Sequence, residues 1–180
     1  MADPVIALGT SHGPQLVTEP KDWPLRVIAD KRNRHYHRGT EYAFDELATL
    51  RAGEREWPPV LTADAWQRKH GTCQAALAAL ADRFRAARPD VAVIFGNDQS
   101  EIFCDSNIPA FAVYTGETIP NLPKSPEQRA KLPPGVAEAE LGYAPPEPAH
   151  YPGAPGLAAH IVKSLIAEEF DVATMSSVPT

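Results

Sequence analysis

Val91-Ala-Val-Ile-Phe-Gly-Asn-Asp-Gln-Ser-Glu-Ile-Phe103 decides how the chain reads, because an apolar, β-branched run stops at Gly96 and gives way to consecutive polar side chains. A continuous apolar run of this length reads as a strand covered on both faces in a parallel sheet. Its polar tail would then sit at the carboxyl edge of the sheet, where open α/β sheets bind their ligands. The chain opens on a second copy of the arrangement, Val5-Ile-Ala-Leu-Gly9 followed by Thr10-Ser-His-Gly-Pro14. Two such strands in one sheet would bring His12 near Asn97, Asp98 and Gln99, and a site there is the first expectation.

Working outward, nineteen prolines mark the long loops, clustering at Pro20 to Pro24, Pro58-Pro59, Pro120 to Pro134 and Pro145 to Pro155. Between them, Thr62 to Ala87 is predicted as the principal helix. Trp66, His70, Cys73, Leu77, Leu80 and Phe84 recur on one side, Thr62 is placed to cap it, and Pro89 lies just beyond its end. With Val91–Gly96 directly after it, strand, helix and strand make a right-handed crossover. A further strand is predicted at Ala110–Tyr114, a second helix over about Pro155 to Phe170, and another strand opening at Asp171–Thr174. Residues from about 22 to 60 read as a partly helical insertion.

The expected fold class is therefore α/β, a mostly parallel central sheet flanked by helices, in a single domain over residues 1–180. The sheet is expected to be incomplete, since the chain stops within a few residues of its last strand. An unpaired sheet edge and uncovered apolar faces would favour association.

The net charge of −6 argues against a duplex nucleic-acid partner, which needs a concentrated basic excess. No apolar stretch is long enough for a membrane span, and Met-Ala-Asp-Pro lacks the order of a secretory leader. A cytoplasmic protein is expected, with Cys73 and Cys104 as free thiols. The sequence carries no Gly-x-Gly-x-x-Gly after the first strand, no phosphate loop, no Gly-x-Ser-x-Gly elbow, no Cys-x-x-Cys and no His-Glu-x-x-His, so nucleotide binding, serine hydrolysis and structural zinc lack their usual warrants.

His12, offered by a tight turn between Ser11 and Gly13-Pro14, is the candidate metal ligand, since iron(II) sites commonly take two histidines and a carboxylate on one face. Ser11, Asn97, Asp98 and Glu101 are pocket candidates. Capping of turn amides is the plainer reading for Asn97 and Asp98; it is favoured for Asn97, while the roles of Asp98 and Glu101 stay open. His35 and His37 flank Tyr36 in the insertion and are expected on different sides of it, which makes them poor as a pair, although one could fold over the site. His70, on the apolar stripe of the first long helix, reads as a core or interface histidine, and His150 and His160 have only weak claims.

Three ordered blocks carry a resemblance. Gly9-Thr-Ser-His-Gly-Pro14, Phe95-Gly-Asn-Asp-Gln-Ser-Glu-Ile-Phe103 with Asn107-Ile-Pro-Ala-Phe-Ala-Val113, and Pro155 through Asp171 are similar to the class III extradiol ring-cleavage dioxygenases of the protocatechuate 4,5-dioxygenase beta-subunit type. The resemblance implies a non-haem iron(II) enzyme that opens a catecholic ring beside its diol with O2, with His12 as an iron ligand. The family's second histidine ligand aligns with Gln99, whose amide is a weaker donor. Its catalytic histidine and glutamate ligand come from segments beyond Thr180.

The expectation is accordingly an extradiol-dioxygenase-like domain, cytoplasmic and acting on a small aromatic diol. Alone it would be inactive or incomplete: a fragment, a shortened relative, or a subunit completed by its own copies or by another chain. The alternative is a non-catalytic binding or structural module of the same fold. A third reading is a metal-dependent hydrolase using His12 with Asp98 and Glu101.

Overall fold

The computed structural model of the protein describes residues 3–54, 58–98 and 102–178. In chain order its elements are α1 (Leu25–Asp30), β1 (Arg34–His37), β2 (Thr40–Ala43), α2 (Phe44–Arg51), α3 (Ala63–Ala87), β3 (Ala112–Tyr114), β4 (Thr118–Asn121), α4 (Pro126–Arg129), α5 (Val136–Tyr143), β5 (Ala149–Pro152), α6 (Pro155–Ala167) and β6 (Ala173–Met175). Single 3-10 turns lie at Pro14–Leu16, Pro20–Asp22 and Pro58–Val60. Helix and strand are mixed, and the sheets are small two-stranded ones, of which one is parallel. Contacts divide the chain into two compact units, Met1–Pro89 with Pro123–Pro146, and Asp90–Leu122 with Glu147–Thr180.

The first unit is organised on α3. Thr62 is extended, and its hydroxyl accepts the Ala65 amide proton at 3.2 Å, satisfying one of the donors that a helix start leaves over. At the other end Arg88 takes a left-handed conformation, φ 44° and ψ 55°, immediately before Pro89. Along the inner stripe Ala65 is buried, and Trp66, His70, Cys73, Leu77 and Leu80 are half-buried. Trp23 meets two of them, with ring centroids 6.2 Å from Trp66 and 6.5 Å from His70. His70 is thus the packed histidine the stripe predicts.

Between Leu25 and Arg51 the chain forms two short helices, α1 and α2, and between them a hairpin that no strand expectation covers. β1 and β2 pair antiparallel, Arg34 with Ala43 through His37 with Thr40. Arg38 and Gly39 form the two-residue turn with φ of 50° and 81°, the positive pair that matches strand twist. α2 follows at once, its start held by the Glu46 carboxylate accepting the Ala43 amide at 2.7 Å.

In the second unit, β3 and β6 run parallel with Ala112 beside Ala173 and Tyr114 beside Met175. α6 packs on β3. It ends where Glu169 turns left-handed (φ 65°) and Phe170 donates back to the Leu165 carbonyl at 2.9 Å, a hydrogen-bonded close that only an αL residue permits. This turn lays Phe170 edge-on to Phe111, centroids 6.2 Å apart, and starts β6. Antiparallel β4 and β5 pair Thr118 with Pro152 and Asn121 with Ala149. Beside them the Gly153 amide donates to the Glu117 carbonyl at 2.7 Å, and a Cβ at Gly153 would collide with the Gly116 carbonyl.

Two expected strands do not form. Among the described residues neither Val5–Gly9 nor Val91–Gly96 enters a sheet, so the strand–helix–strand crossover around α3 is absent. Ile94 is 84% and Phe95 94% exposed. Strand preference measures how well a residue fits a pleated, half-buried surface, and without a neighbouring strand it creates no pairing. Among the described residues the buried aliphatic side chains are small ones, Ala29, Ala65, Ala139 and Ala158, well short of the burial usual for this length. No helix among the described residues is long and apolar enough to cross a membrane.

The two ends of α3 make opposite predictions. Thr62→Ala removes the cap and is expected to lower the unfolding free energy by about 1 kcal/mol. Arg88→Gly relieves a left-handed residue that also precedes proline, and is expected to raise it by about 1 kcal/mol. Urea melts followed by helical circular dichroism measure both, and equal melts for all three proteins would contradict the end geometry.

Candidate functional site

His12 lies in the first unit at the end of a segment, residues 3–13, that has no regular structure. The turn that offers it is built locally. The Gly13 amide donates to the Ser11 hydroxyl at 3.1 Å, and the Gly13 carbonyl accepts from Leu16 at 3.0 Å as the Pro14–Leu16 turn begins. Ser11, a pocket candidate, is therefore a turn-forming residue here.

Longer contacts anchor the turn to the helices. Gln74 of α3 donates to the Leu16 carbonyl at 2.6 Å, its amide nitrogen also 3.3 Å from His70 Nε2. The Trp23 indole donates to the Thr18 carbonyl at 3.0 Å, and buried Thr18 donates to the Pro14 carbonyl at 2.8 Å.

The imidazole itself is exposed and meets Tyr143 at the end of α5, with centroids 6.4 Å apart at 68°. The Tyr143 hydroxyl donates to the His12 carbonyl at 3.2 Å. Burial pushes the Tyr143 pKa up, the Glu140 carboxylate adds to this, and Arg26 opposes it, so the hydroxyl keeps its proton and stays a donor at neutral pH. Tyr143 was not singled out from the sequence, because a contact spanning 131 residues leaves no local signal. Close by, an open hollow of about 330 Å³ is lined by Leu8, Gly9, Thr10, Leu80, Ala81, Phe84 and Arg85. Its walls suit a small apolar group, since Arg85 is already paired with Asp82.

Asn97 and Asp98 belong to the second unit, while Gln99, Ser100 and Glu101 lie outside the described residues. The Asp98 carboxylate accepts the backbone amides of Ile102 at 2.9 Å and Phe103 at 3.2 Å. Asp98 therefore caps backbone amides of the turn that follows it. In the loop beyond, Cys104 Sγ sits 3.1 Å from the Ser106 hydroxyl. That hydrogen bond, with backbone amides after it, pulls the thiol below its ordinary pKa, a local influence that the sequence reading had not identified.

His35 and His37 require a correction. Both are in β1, two residues apart, and alternate positions of a strand share one face. His35 Nε2 is 2.8 Å from the Asp30 carbonyl and the ring stands edge-on to Phe44, at 5.8 Å. Both imidazoles are half-buried. On the same hairpin Glu41 takes a hydrogen bond from Tyr36 at 2.7 Å and an ion pair from Arg34 at 2.6 Å. Tyr36 first, then Arg34, holds the Glu41 carboxyl below the ordinary glutamate range.

Among the described residues no group of three or more His, Cys, Asp or Glu side chains converges as a metal site. The donor set that the sequence suggests, one imidazole at His12 and one amide at Gln99, does not by itself fit a two-histidine, one-carboxylate ferrous centre. Comparison of the chain with protein-family models, curated proteins and solved structures gives no match.

A depressed carboxylate pKa contributes stability that is present above the ordinary range and lost as pH falls through the lower folded value. The Tyr36–Glu41 contact is therefore expected to survive titration through pH of about 4, the ordinary glutamate region, and to release only below it. Tyr36 ring resonances followed against pH report this; a midpoint at the ordinary glutamate value would contradict it, and Glu41→Gln should abolish the transition.

Proposed function

We propose that the chain is a domain of the extradiol ring-cleavage dioxygenase type, cytoplasmic, with His12 directed at ferrous iron and a small aromatic diol with O2 as the substrates of its complete form. The observation that carries the reading is the third sequence block, Pro155 to Asp171. It forms α6 and a hydrogen-bonded turn that leads straight into β6, parallel to β3. A helix delivering a strand in parallel to its neighbour is what the resemblance implies there, and this single parallel pair with its helix is the part of the expected helix-flanked architecture that supports the reading. The polar tail of β3, Thr115-Gly116-Glu117, fits the same plan.

Because the donors do not make a full ferrous set, no ring-opening step is assigned to this polypeptide. What its own residues do is narrower. The Ser11–Gly13 turn presents one imidazole to solvent, and the apolar walls of Leu8, Leu80 and Phe84 offer a place for an uncharged ring edge. Association with another copy or a second subunit belongs to this reading, since Ile94 and Phe95 are left uncovered.

Anaerobic equilibrium dialysis against ferrous ion, for the wild type and His12→Ala, tests the reading together with a catechol assay. The expected result is weak, reversible uptake of iron that His12→Ala removes, without ring-opened product. Uptake that persists in His12→Ala, or no uptake by the wild type, would overturn the iron assignment and favour a non-catalytic binding module.

A further inference from the structure

We propose that Tyr143 is the positioning residue for the His12 imidazole, acting from the end of α5 through one hydrogen bond and one ring contact. The inference rests on the reading of His12 as the metal-directed residue. Its starting point is that, among the described residues, 3–13 lie in no helix or strand, so the His12 main chain is not set by a sheet or helix. Tyr143 makes up for this in two ways. Its hydroxyl holds the His12 carbonyl at 3.2 Å, which sets the main chain, and its ring meets the imidazole edge-on at 6.4 Å, which restricts ring rotation.

The neighbouring residue shows that the approach is built into α5. A Cβ at Gly142 would lie 2.5 Å from Val17 Cβ and 2.7 Å from the Val17 carbonyl oxygen. The end of α5 can therefore lie against the segment following the His12 turn only because position 142 has no side chain. The helix is also fixed at its start, where Gly135 turns left-handed (φ 81°) and its amide donates to Glu138 at 2.6 Å. An ion pair of 2.7 Å from Lys124 to Glu140 ties its middle. A rigid short helix thus carries one aromatic residue to one histidine.

The experiment uses the full chain with His12 labelled at its carbonyl and ring carbons. In the wild type, nuclear Overhauser contacts are expected between the His12 imidazole and the Tyr143 ring. Tyr143→Phe is expected to keep those ring contacts while shifting the His12 carbonyl resonance as its hydrogen bond is lost. Tyr143→Leu is expected to move both the imidazole and the carbonyl resonances, with the thermal midpoint lowered by about a few degrees and the fold retained. Absence of the wild-type contacts, or imidazole resonances identical in wild type and Tyr143→Leu, would overturn the proposal. Should Tyr143→Leu fail to fold, Tyr143→Phe alone decides: a carbonyl resonance that does not move would overturn it.

Ferrous uptake by the same proteins separates the two readings. His12-dependent uptake that weakens in Tyr143→Leu agrees with both. Intact His12–Tyr143 contacts with iron uptake indifferent to His12→Ala leave the positioning role standing and remove the iron reading.

Discussion

The first unit depends on hydrogen bonds that side chains of its helices and turns make to the backbone of an N-terminal segment that lies in no helix or strand of the described residues until the Pro14–Leu16 turn. Gln74 holds the Leu16 carbonyl, Trp23 holds the Thr18 carbonyl, and Tyr143 holds the His12 carbonyl. Each neutral bond of this kind contributes on the order of 1 kcal/mol net. Together they give the His12 turn a fixed place without a sheet. The cost is sensitivity, since each anchor is a single side chain and the nearby buried apolar groups are as small as Ala65 and Ala139.

A different economy governs the second unit. Its contacts are mostly main chain to main chain: the β3–β6 and β4–β5 ladders, and the close passage of Gly153 by the Gly116–Glu117 backbone. Glycine is required at 153 because any side chain would strike the Gly116 carbonyl. Phe111 against Phe170 is the aromatic contact that joins the end of α6 to the strand pair. Preceding this framework, Val91 to Phe95 remain exposed although their composition is that of a core strand.

What could be read from the sequence follows the range of the forces involved. α3 was legible almost to the residue because its signals, Thr62 at the start, a three- and four-residue stripe, and Pro89 beyond the end, act within one or two turns. α6 was legible for the same reason, and β3 and β6 to within two residues. The hairpin was missed although a signal existed: Arg38-Gly39 between two short runs of Tyr, His and Thr is a two-residue turn. The strands expected at Val5–Gly9 and Val91–Gly96 failed because pairing is non-local, and an apolar run does not carry its partner with it. At the candidate site the short-range rule that a small acid or amide caps the turn is met by Asp98, whose carboxylate takes two backbone amides. Tyr143 had no local signature at all.

The central claim is that the segment leading to His12 is held by side-chain anchors at its far end while its apolar run, like Val91 to Gly96, stays outside any sheet. Native-state amide hydrogen exchange of the isolated chain tests it most directly. The account predicts near-unprotected exchange for the amides of Val5 to Gly9 and Val91 to Gly96, beside clear protection at Leu16 to Thr18 and through α3. Slow exchange across both apolar runs, matching that of α3, would contradict it.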